Sequence, residues 1–414
     1  MPTRRHAAGA VTPAVKSRDA PGLPAKRWKR PNVWLGKVIP LSLLVFAVSG
    51  YSLVVTEIIP LLYRRRPPVA LAYALVVHVT LALTAYSYFA VYLQPLDPPK
   101  TGDPPREVRD KRVIFACDEM GQPMRCGRDR CNGAWQSLRT RHCRDCGTCR
   151  PGFDHHCAFM DSCVCAATLK PFCCFLFYAA VLLAVGLVPL TPLQWRACRE
   201  VVSETWWSDE MRRDWWDGWR GWIGGPVYRY AGALLLGYRQ YQRTAHERPL
   251  IIPDIRVRTF REGALTYAYD EPLFPRLAIP HLSTLFISFF AAFITVIALV
   301  MLGVVVRHAR DGVSSVQLER LKLWRAQDPL EPVYDARIRL WVPLPRDEVP
   351  AGGAVVLVEP DVPLFDLGAA ENWRKVMGRK WWQWFQPWVP SEFSDFDMSP
   401  TAVKLLEQRA RKQL

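Results

Sequence analysis

His142-Cys143-Arg144-Asp145-Cys146-Gly147-Thr148-Cys149, followed by Asp154-His155-His156-Cys157 and then Cys163, packs metal-binding side chains at a density no ordinary core requires. Cys126 and Cys131 precede the run, and eleven of the twelve cysteines fall between Cys117 and Cys174. Zinc takes four soft or borderline ligands in a tetrahedron, and a Cys-x2-Cys pair supplies two of them from one turn. Setting aside His155 and Cys157 leaves Cys126, Cys131, His142, Cys143, Cys146, Cys149, His156 and Cys163, eight ligands and so enough for two closed structural sites. Spacing does not assign them to one site or the other. A segment of this size has little apolar core, so bound metal supplies much of its folding free energy.

Closed sites leave Cys157 without a metal and His155 two residues before it. A free thiol is mostly protonated at neutral pH, and a neighbouring His in cationic surroundings favours the nucleophilic thiolate. Asp154 then holds the imidazole in one tautomer and stabilises its charged form. The competing reading makes Cys157 a spare zinc ligand, or one that exchanges with a neighbour.

Working outward, residues 38–62, 69–93, 172–193 and 282–306 are apolar stretches rich in Leu, Val, Ala, Ile and Phe. Each is long enough for a helix to cross roughly 30 Å of hydrocarbon at about 1.5 Å per residue. One such stretch fits a buried core helix, whereas four predict an α-helical polytopic membrane protein. Glu57 and His78 lie within these spans and, being costly in lipid, are expected to face other helices. No cleaved signal is expected at the N-terminus. Residues 1–37 read as a basic, disordered segment, with Arg4, Arg5, Lys16, Arg18, Lys26, Arg27, Lys29 and Arg30 against Asp19 in its first thirty-two residues. Its charge suits the cytosolic side. Four spans then put both termini and residues 94–171 in the cytosol, and residues 194–281 in the lumen. Arg64, Arg65 and Arg66 run against that orientation. The cysteines decide it, because free thiolates and bound zinc persist in a reducing compartment. The net charge of +16 reads as contact with anionic lipid and not with nucleic acid.

At the Cys/His run the chain resembles the DHHC family of protein S-acyltransferases, the palmitoyltransferases. The resemblance rests on His142-Cys143-x2-Cys146-x2-Cys149-x4-Asp154-His155-His156-Cys157-x5-Cys163, followed by Phe172, and on the four-span layout. It implies a zinc-stapled cytosolic domain between spans two and three. One zinc would be held by Cys126, Cys131, His142 and Cys149, and the other by Cys143, Cys146, His156 and Cys163. Cys157 would carry the acyl group, with His155 as base and Asp154 orienting it. Palmitoyl-CoA would be the donor and cysteine thiols of membrane-associated proteins the acceptors, on endomembranes or the plasma membrane. Asp97-Pro98-Pro99 is similar to the family's Asp-Pro-Gly motif, and Ser314-Ser315-Val316-Gln317 to its Thr-Thr-x-Glu. Phe365-Asp366-Leu367-Gly368, Asn372-Trp373 and the aromatic run Trp381–Phe385 resemble the C-terminal segment common in fungal members.

This chain departs from the family pattern in named places. Its first pair is Cys-x4-Cys where Cys-x2-Cys is usual, which makes Cys117 a substitute candidate for Cys126 or Cys131. Ala158-Phe159 stands where Pro-Trp is usual, Ser162 and Thr168 occupy Asn positions, and Cys165 a Gly position. Residues 194–281 carry Trp206, Trp207, Trp215, Trp216, Trp219 and Trp222 among Arg and Asp, predicting an amphipathic stretch on the bilayer surface. In the cytosolic tail, 307–414, the apolar patch Ala354–Val358 predicts a strand, and Trp381–Trp388 is expected to dock on the membrane domain. The alternative to an enzyme is a non-catalytic membrane adaptor that keeps the zinc. A transporter is disfavoured, since Glu57 and His78 are too few to define an ion path.

Overall fold

The computed structural model describes residues 33–93, 103–128, 131–244, 259–261, 264–266, 282–326, 337–394 and 396–413. The basic segment before Val33 and the Asp97-Pro98-Pro99 motif lie outside these residues. Among the described residues four helices are long and apolar enough to span a membrane, as the hydropathy predicted. The first span consists of α1 (Val33–Leu53), a π-turn (Val54–Ile58) and α2 (Ile59–Arg65), and α3 (Pro67–Tyr92) forms the second. Glu57 sits in the π-turn and is buried, as its cost in lipid requires. His78 instead stays on the outer surface of α3. There its Nδ1–H donates to Ala74 at 2.7 Å, leaving Nε2 to accept from the Tyr51 hydroxyl of the first span at 3.2 Å.

Between spans two and three, α4 (Arg106–Arg109) leads into seven short strands: β1 (Phe115–Ala116), β2 (Arg125–Cys126), β3 (Ala134–Trp135), β4 (Arg141–Cys143), β5 (Thr148–Arg150), β6 (His155–Cys157) and β7 (Ser162–Val164). β2–β3, β4–β5 and β6–β7 are antiparallel hairpins. No three-residue strand builds a core by itself, so these hairpins take their fixity from what binds between them.

The third span belongs to α5 (Leu169–Trp207), which runs past the expected end at Leu193. At about 1.5 Å per residue this helix is roughly 58 Å long, nearly twice the hydrocarbon thickness. Hydropathy falls after Leu193, but residues 194–207 contain neither Gly nor Pro, so the helix continues outside the apolar stretch. It stops at Ser208, whose hydroxyl caps α6 (Asp209–Met211). A π-turn (Arg212–Trp216), α7 (Trp219–Trp222) and α8 (Gly225–Thr244) then fold the chain back onto α5. Trp216 is buried, with its indole N–H on the Thr205 hydroxyl at 3.1 Å, while Trp207, Trp219 and Trp222 stay exposed. Arg229 stacks over Trp222 at 3.8 Å. A hairpin of β8 (Thr259–Arg261) and β9 (Ala264–Thr266) precedes α9 (Leu282–Arg310), the fourth span.

The tail is not a separate appendage. After α10 (Ser315–Arg325), strand β10 (Ile338–Pro343) pairs with β11 (Gly353–Val358) on one side and with β1 on the other. The expected strand over 354–358 is present; its partner β10 was hidden by Arg339, which interrupts its apolar pattern. Helix α11 (Ala369–Met377) packs on the fourth span, and α12 (Pro400–Lys412) lays Ala402, Leu406 and Ala410 on the sheet. That i, i+4, i+8 stripe is the apolar face of an amphipathic helix. Trp381–Phe385, a 3₁₀ turn, docks on the third span as expected. Tyr178 donates to the Phe385 carbonyl at 2.6 Å, and the Cys174 thiol to that of Trp384 at 3.5 Å.

Leu340 in β10 is fully buried between the sheet and α12. Leu340→Ala is expected to cost about 2–5 kcal/mol. Limited proteolysis should then cut faster both in the tail and near Phe115, because one sheet contains both segments.

Candidate active site and metal centres

Side chains alternate across a strand, so adjacent residues of a hairpin serve opposite faces. In β4–β5, His142 lies opposite Cys149, and Cys143 opposite Thr148. His142 and Cys149 therefore share one face, where they meet Cys126 at the end of β2 and Cys131 from the β2–β3 connection. Cys143 points to the other face. There it joins Cys146 of the same turn and the directly opposed pair His156–Cys163 of β6–β7. Within each foursome all ligand atoms lie within 4.8 Å of one another. These are the two sets that the family resemblance implied.

The spacings fit zinc. A tetrahedron with Zn–S of about 2.3 Å and Zn–N of about 2.0 Å has edges of roughly 3.5–3.8 Å. His142 Nδ1 lies 3.6 Å from Cys126 Sγ and 3.4 Å from Cys131 Sγ. His156 Nδ1 lies 3.7, 3.5 and 3.8 Å from the sulfurs of Cys143, Cys146 and Cys163. Hydrogen bonds from Cys146 and Cys163 hold the Cys143 thiol far below the ordinary range, and the same contacts push Cys163 far above it. Thiols this close cannot all ionise unless a cation takes up their charge. Outer contacts fix the ligands further. The Gln136 amide donates to Cys149 Sγ at 3.1 Å, the Cys149 N–H to Cys131 Sγ at 3.2 Å, and Asp161 faces His156 Nε2 at 3.5 Å.

Cys117 belongs to neither foursome. It is packed with Val108, Phe115 and Trp341, and burial, helped by the Asp118 charge, raises its thiol to about 12. The longer Cys126-x4-Cys131 spacing still brings both sulfurs into one foursome without recruiting Cys117.

The same alternation places His155 and Cys157 together on the face of β6 opposite His156. The His155 ring is hydrogen-bonded to Cys157 on one side and through Nδ1 to Asp154 Oδ2 at 2.8 Å on the other. Burial works against a charge on His155, but the hydrogen bonds to Asp154 and Cys157 outweigh it and push its pKa up to about 9. Burial likewise opposes ionisation of Asp154. Its bonds to His155 and Ser315 prevail and hold the carboxyl below its usual range. Ser315 donates its backbone N–H to Asp154 Oδ1 at 2.6 Å and its hydroxyl to Oδ2 at 3.0 Å.

Ser315 opens α10, whose N-cap Ser314 forms a capping box with Gln317. The Ser314–Gln317 tetrad thus does two things: it starts a helix after the fourth span, and it presents that helix's N-terminus to a carboxylate. Sequence reading singled out the tetrad but missed Ser315 as the partner of Asp154. The signal was the cap signature following an apolar run. Ser162, opposite Cys157, was also missed; its hydroxyl donates to the Val91 carbonyl in the second span at 2.9 Å. Thr168 bridges the Cys165 N–H (2.9 Å) and the Cys163 carbonyl (3.1 Å), so a hydroxyl serves at this Asn position. Cys157 itself is 5% exposed, within a core shared by Val91, Met160 and Phe172. Phe159 remains exposed beside it.

Residues 128–214 match the family model described as DHHC palmitoyltransferase. That stretch is similar to the DHHC domain of palmitoyltransferases. The chain is similar to Palmitoyltransferase spe-10 of Caenorhabditis elegans, 34% identical over 101 residues, which is 24% of this chain and 27% of that protein. Two Arabidopsis thaliana proteins also match. Probable protein S-acyltransferase 15 is 46% identical over 48 residues, 12% of this chain and 19% of that protein. Probable protein S-acyltransferase 13 is 39% identical over 64 residues, 16% of this chain and 21% of that protein. The chain therefore spans about a quarter or less of the length of each of these relatives.

Substituting Cys131→Ser is expected to remove one zinc per chain and lower stability, whereas Cys117→Ser retains full zinc. Metal analysis of the purified proteins distinguishes the two.

Proposed function

We propose that this protein is a membrane-embedded protein S-acyltransferase that moves a long-chain acyl group from acyl-CoA, palmitoyl-CoA above all, to cysteine thiols of membrane-associated proteins. The observation that carries the reading is the placement of His155 and Cys157 side by side on one face of β6, while His156 is turned to the metal set on the other. The stretches of similarity to named palmitoyltransferases and S-acyltransferases support it.

In this mechanism His155 takes the Cys157 proton, and Sγ attacks the thioester carbonyl of acyl-CoA. The tetrahedral intermediate collapses with loss of the CoA thiolate, which recovers the proton from the imidazolium. Acyl transfer then runs the same steps with a substrate cysteine. His155 deprotonates the incoming thiol, its sulfur attacks the acyl-Cys157 carbonyl, and Cys157 leaves as a thiolate that is reprotonated. One thioester is exchanged for another, so no further energy source is needed. Asp154 keeps Nδ1–H of His155 occupied, leaving Nε2 to handle the proton. Zinc, bound in the two foursomes, supplies the scaffold and not the nucleophile.

The acyl chain runs down between the spans, since Cys157 lies in a core shared with the second and third. Each methylene buried there contributes about 0.8 kcal/mol. The active site faces the cytosol, where thiolates stay reduced and substrate cysteines are free. Residues 94–171 and the tail from 307 onward work together on that side, joined by the β1–β10 pairing.

Incubating the purified protein with labelled palmitoyl-CoA should give a hydroxylamine-sensitive label on Cys157. Cys157→Ser should lose the label and retain about two zinc ions per chain. Loss of one zinc in that variant would make Cys157 a ligand. Two zinc ions with no label on the native protein would favour an adaptor.

A further inference from the structure

The guanidinium of Arg139 lies between two phenyl rings of the tail, 4.4 Å from the centre of Phe365 and 4.2 Å from that of Phe393. A planar cation is attracted by both aromatic faces, and more strongly where water is excluded. Through Nη2 it also donates to the Gly312 carbonyl at 3.3 Å, in the turn that follows the fourth span. The Arg139 main-chain carbonyl accepts the Phe153 N–H at 3.2 Å.

These contacts close a ring around Asp154. Arg139 holds Phe153 on one side and Gly312 on the other. Phe153 leads directly into Asp154, and Gly312 leads through Val313 and Ser314 into Ser315, which grips Asp154 at 2.6 and 3.0 Å. The backbone beside the ring has little freedom. Gly312 sits at φ +65°, and a Cβ there would approach the Phe365 carbonyl to 2.6 Å. Gly152 sits at φ +57°, where a Cβ would come within 3.0 Å of the Phe393 ring. A small cavity lined by Asp154, Asn372, Lys375 and Phe393 lies next to the carboxylate and gives it somewhere to go once the ring opens.

We infer that Arg139 is a positioning residue for Asp154. The two phenyl rings of the tail fix the guanidinium, and the guanidinium fixes the distance between the chain entering β6 and the Ser315 groups that hold Asp154. Through this ring the C-terminal tail sets the orientation of His155 without touching substrate. The inference rests on the acyltransferase reading above.

Arg139→Lys keeps the charge but loses the planar fork. The rate of Cys157 acylation at saturating palmitoyl-CoA should fall roughly ten-fold while KM for the acyl-CoA and zinc content stay unchanged. Ser315→Ala should slow acylation in the same way. The Arg139→Lys/Ser315→Ala double variant should be no slower than the slower single, because both act through one carboxylate. Phe393→Leu is the second probe, leaves Arg139 in place, and replaces Arg139→Lys in the cycle if that variant loses zinc. Native-like rates in both Arg139→Lys and Phe393→Leu, or losses that multiply in the double variant, would overturn the inference. A native protein that takes no label would instead sink the acyltransferase reading, which the parallel native assay reports separately.

Discussion

The two foursomes of Cys and His are what the domain between the second and third spans hangs on. Strands of two or three residues, paired only as isolated hairpins, cannot bury enough surface to fix their own positions. The two foursomes could hold metal between their faces, and bound metal would supply the missing constraint. β4–β5 contributes to both foursomes, and β6–β7 to one, so the two sites tie three hairpins into one body. With that body fixed, strand alternation does the rest. His156 faces the second foursome, and its neighbours His155 and Cys157 necessarily face away. Exchange of ligand and reactive roles between adjacent residues would need a one-residue slip of β6, which would turn every side chain of the hairpin over.

The hairpin carrying Cys157 is mounted on three spans. Ser162 fastens it to the second through the Val91 carbonyl, Thr168 joins it to the start of the third, and Asp154 ties it to Ser315 beyond the fourth. Each tether is a short polar bond in a mostly apolar junction, where an unmade bond is costly. The tail reinforces the same junction. Asn372 donates to the Arg310 carbonyl at 2.8 Å and accepts the Leu367 N–H at 3.0 Å, fixing the end of the fourth span against the tail. Fold and site are therefore one problem here: the bonds that hold the domain to the membrane helices also set the neighbourhood of Cys157.

Much of this was legible in the residues. Four apolar stretches announced the spans because lipid imposes length and composition together. The ligand sets followed from family likeness and were beyond the reach of spacing, since Cys-x2-Cys pairs do not say which face each sulfur takes; the register of β4–β5 does. The third helix runs beyond the expected span because hydropathy reports the bilayer and not helix propensity, and residues 194–207 contain no Gly or Pro to stop it. The pairing of β1 with β10 joins residues more than two hundred positions apart, and no local pattern could reveal it. His78 was expected to face other helices, yet it stays at the bundle surface, where bonds to the Ala74 carbonyl and the Tyr51 hydroxyl satisfy both ring nitrogens. The roles of Ser315, Ser162 and Arg139 were not legible because each acts through partners distant in sequence.

The central claim is that adjacent histidines of one strand have opposite tasks, and paired substitutions at those two positions test it most directly. Zinc content and Cys157 acylation would be measured on His155→Ala and His156→Ala side by side. The account predicts that His155→Ala folds, keeps both zinc ions and acylates slowly, while His156→Ala loses zinc, becomes sensitive to protease and accumulates poorly. Zinc loss from His155→Ala together with a fully metallated His156→Ala would contradict it, since β6 would then present its faces the other way round.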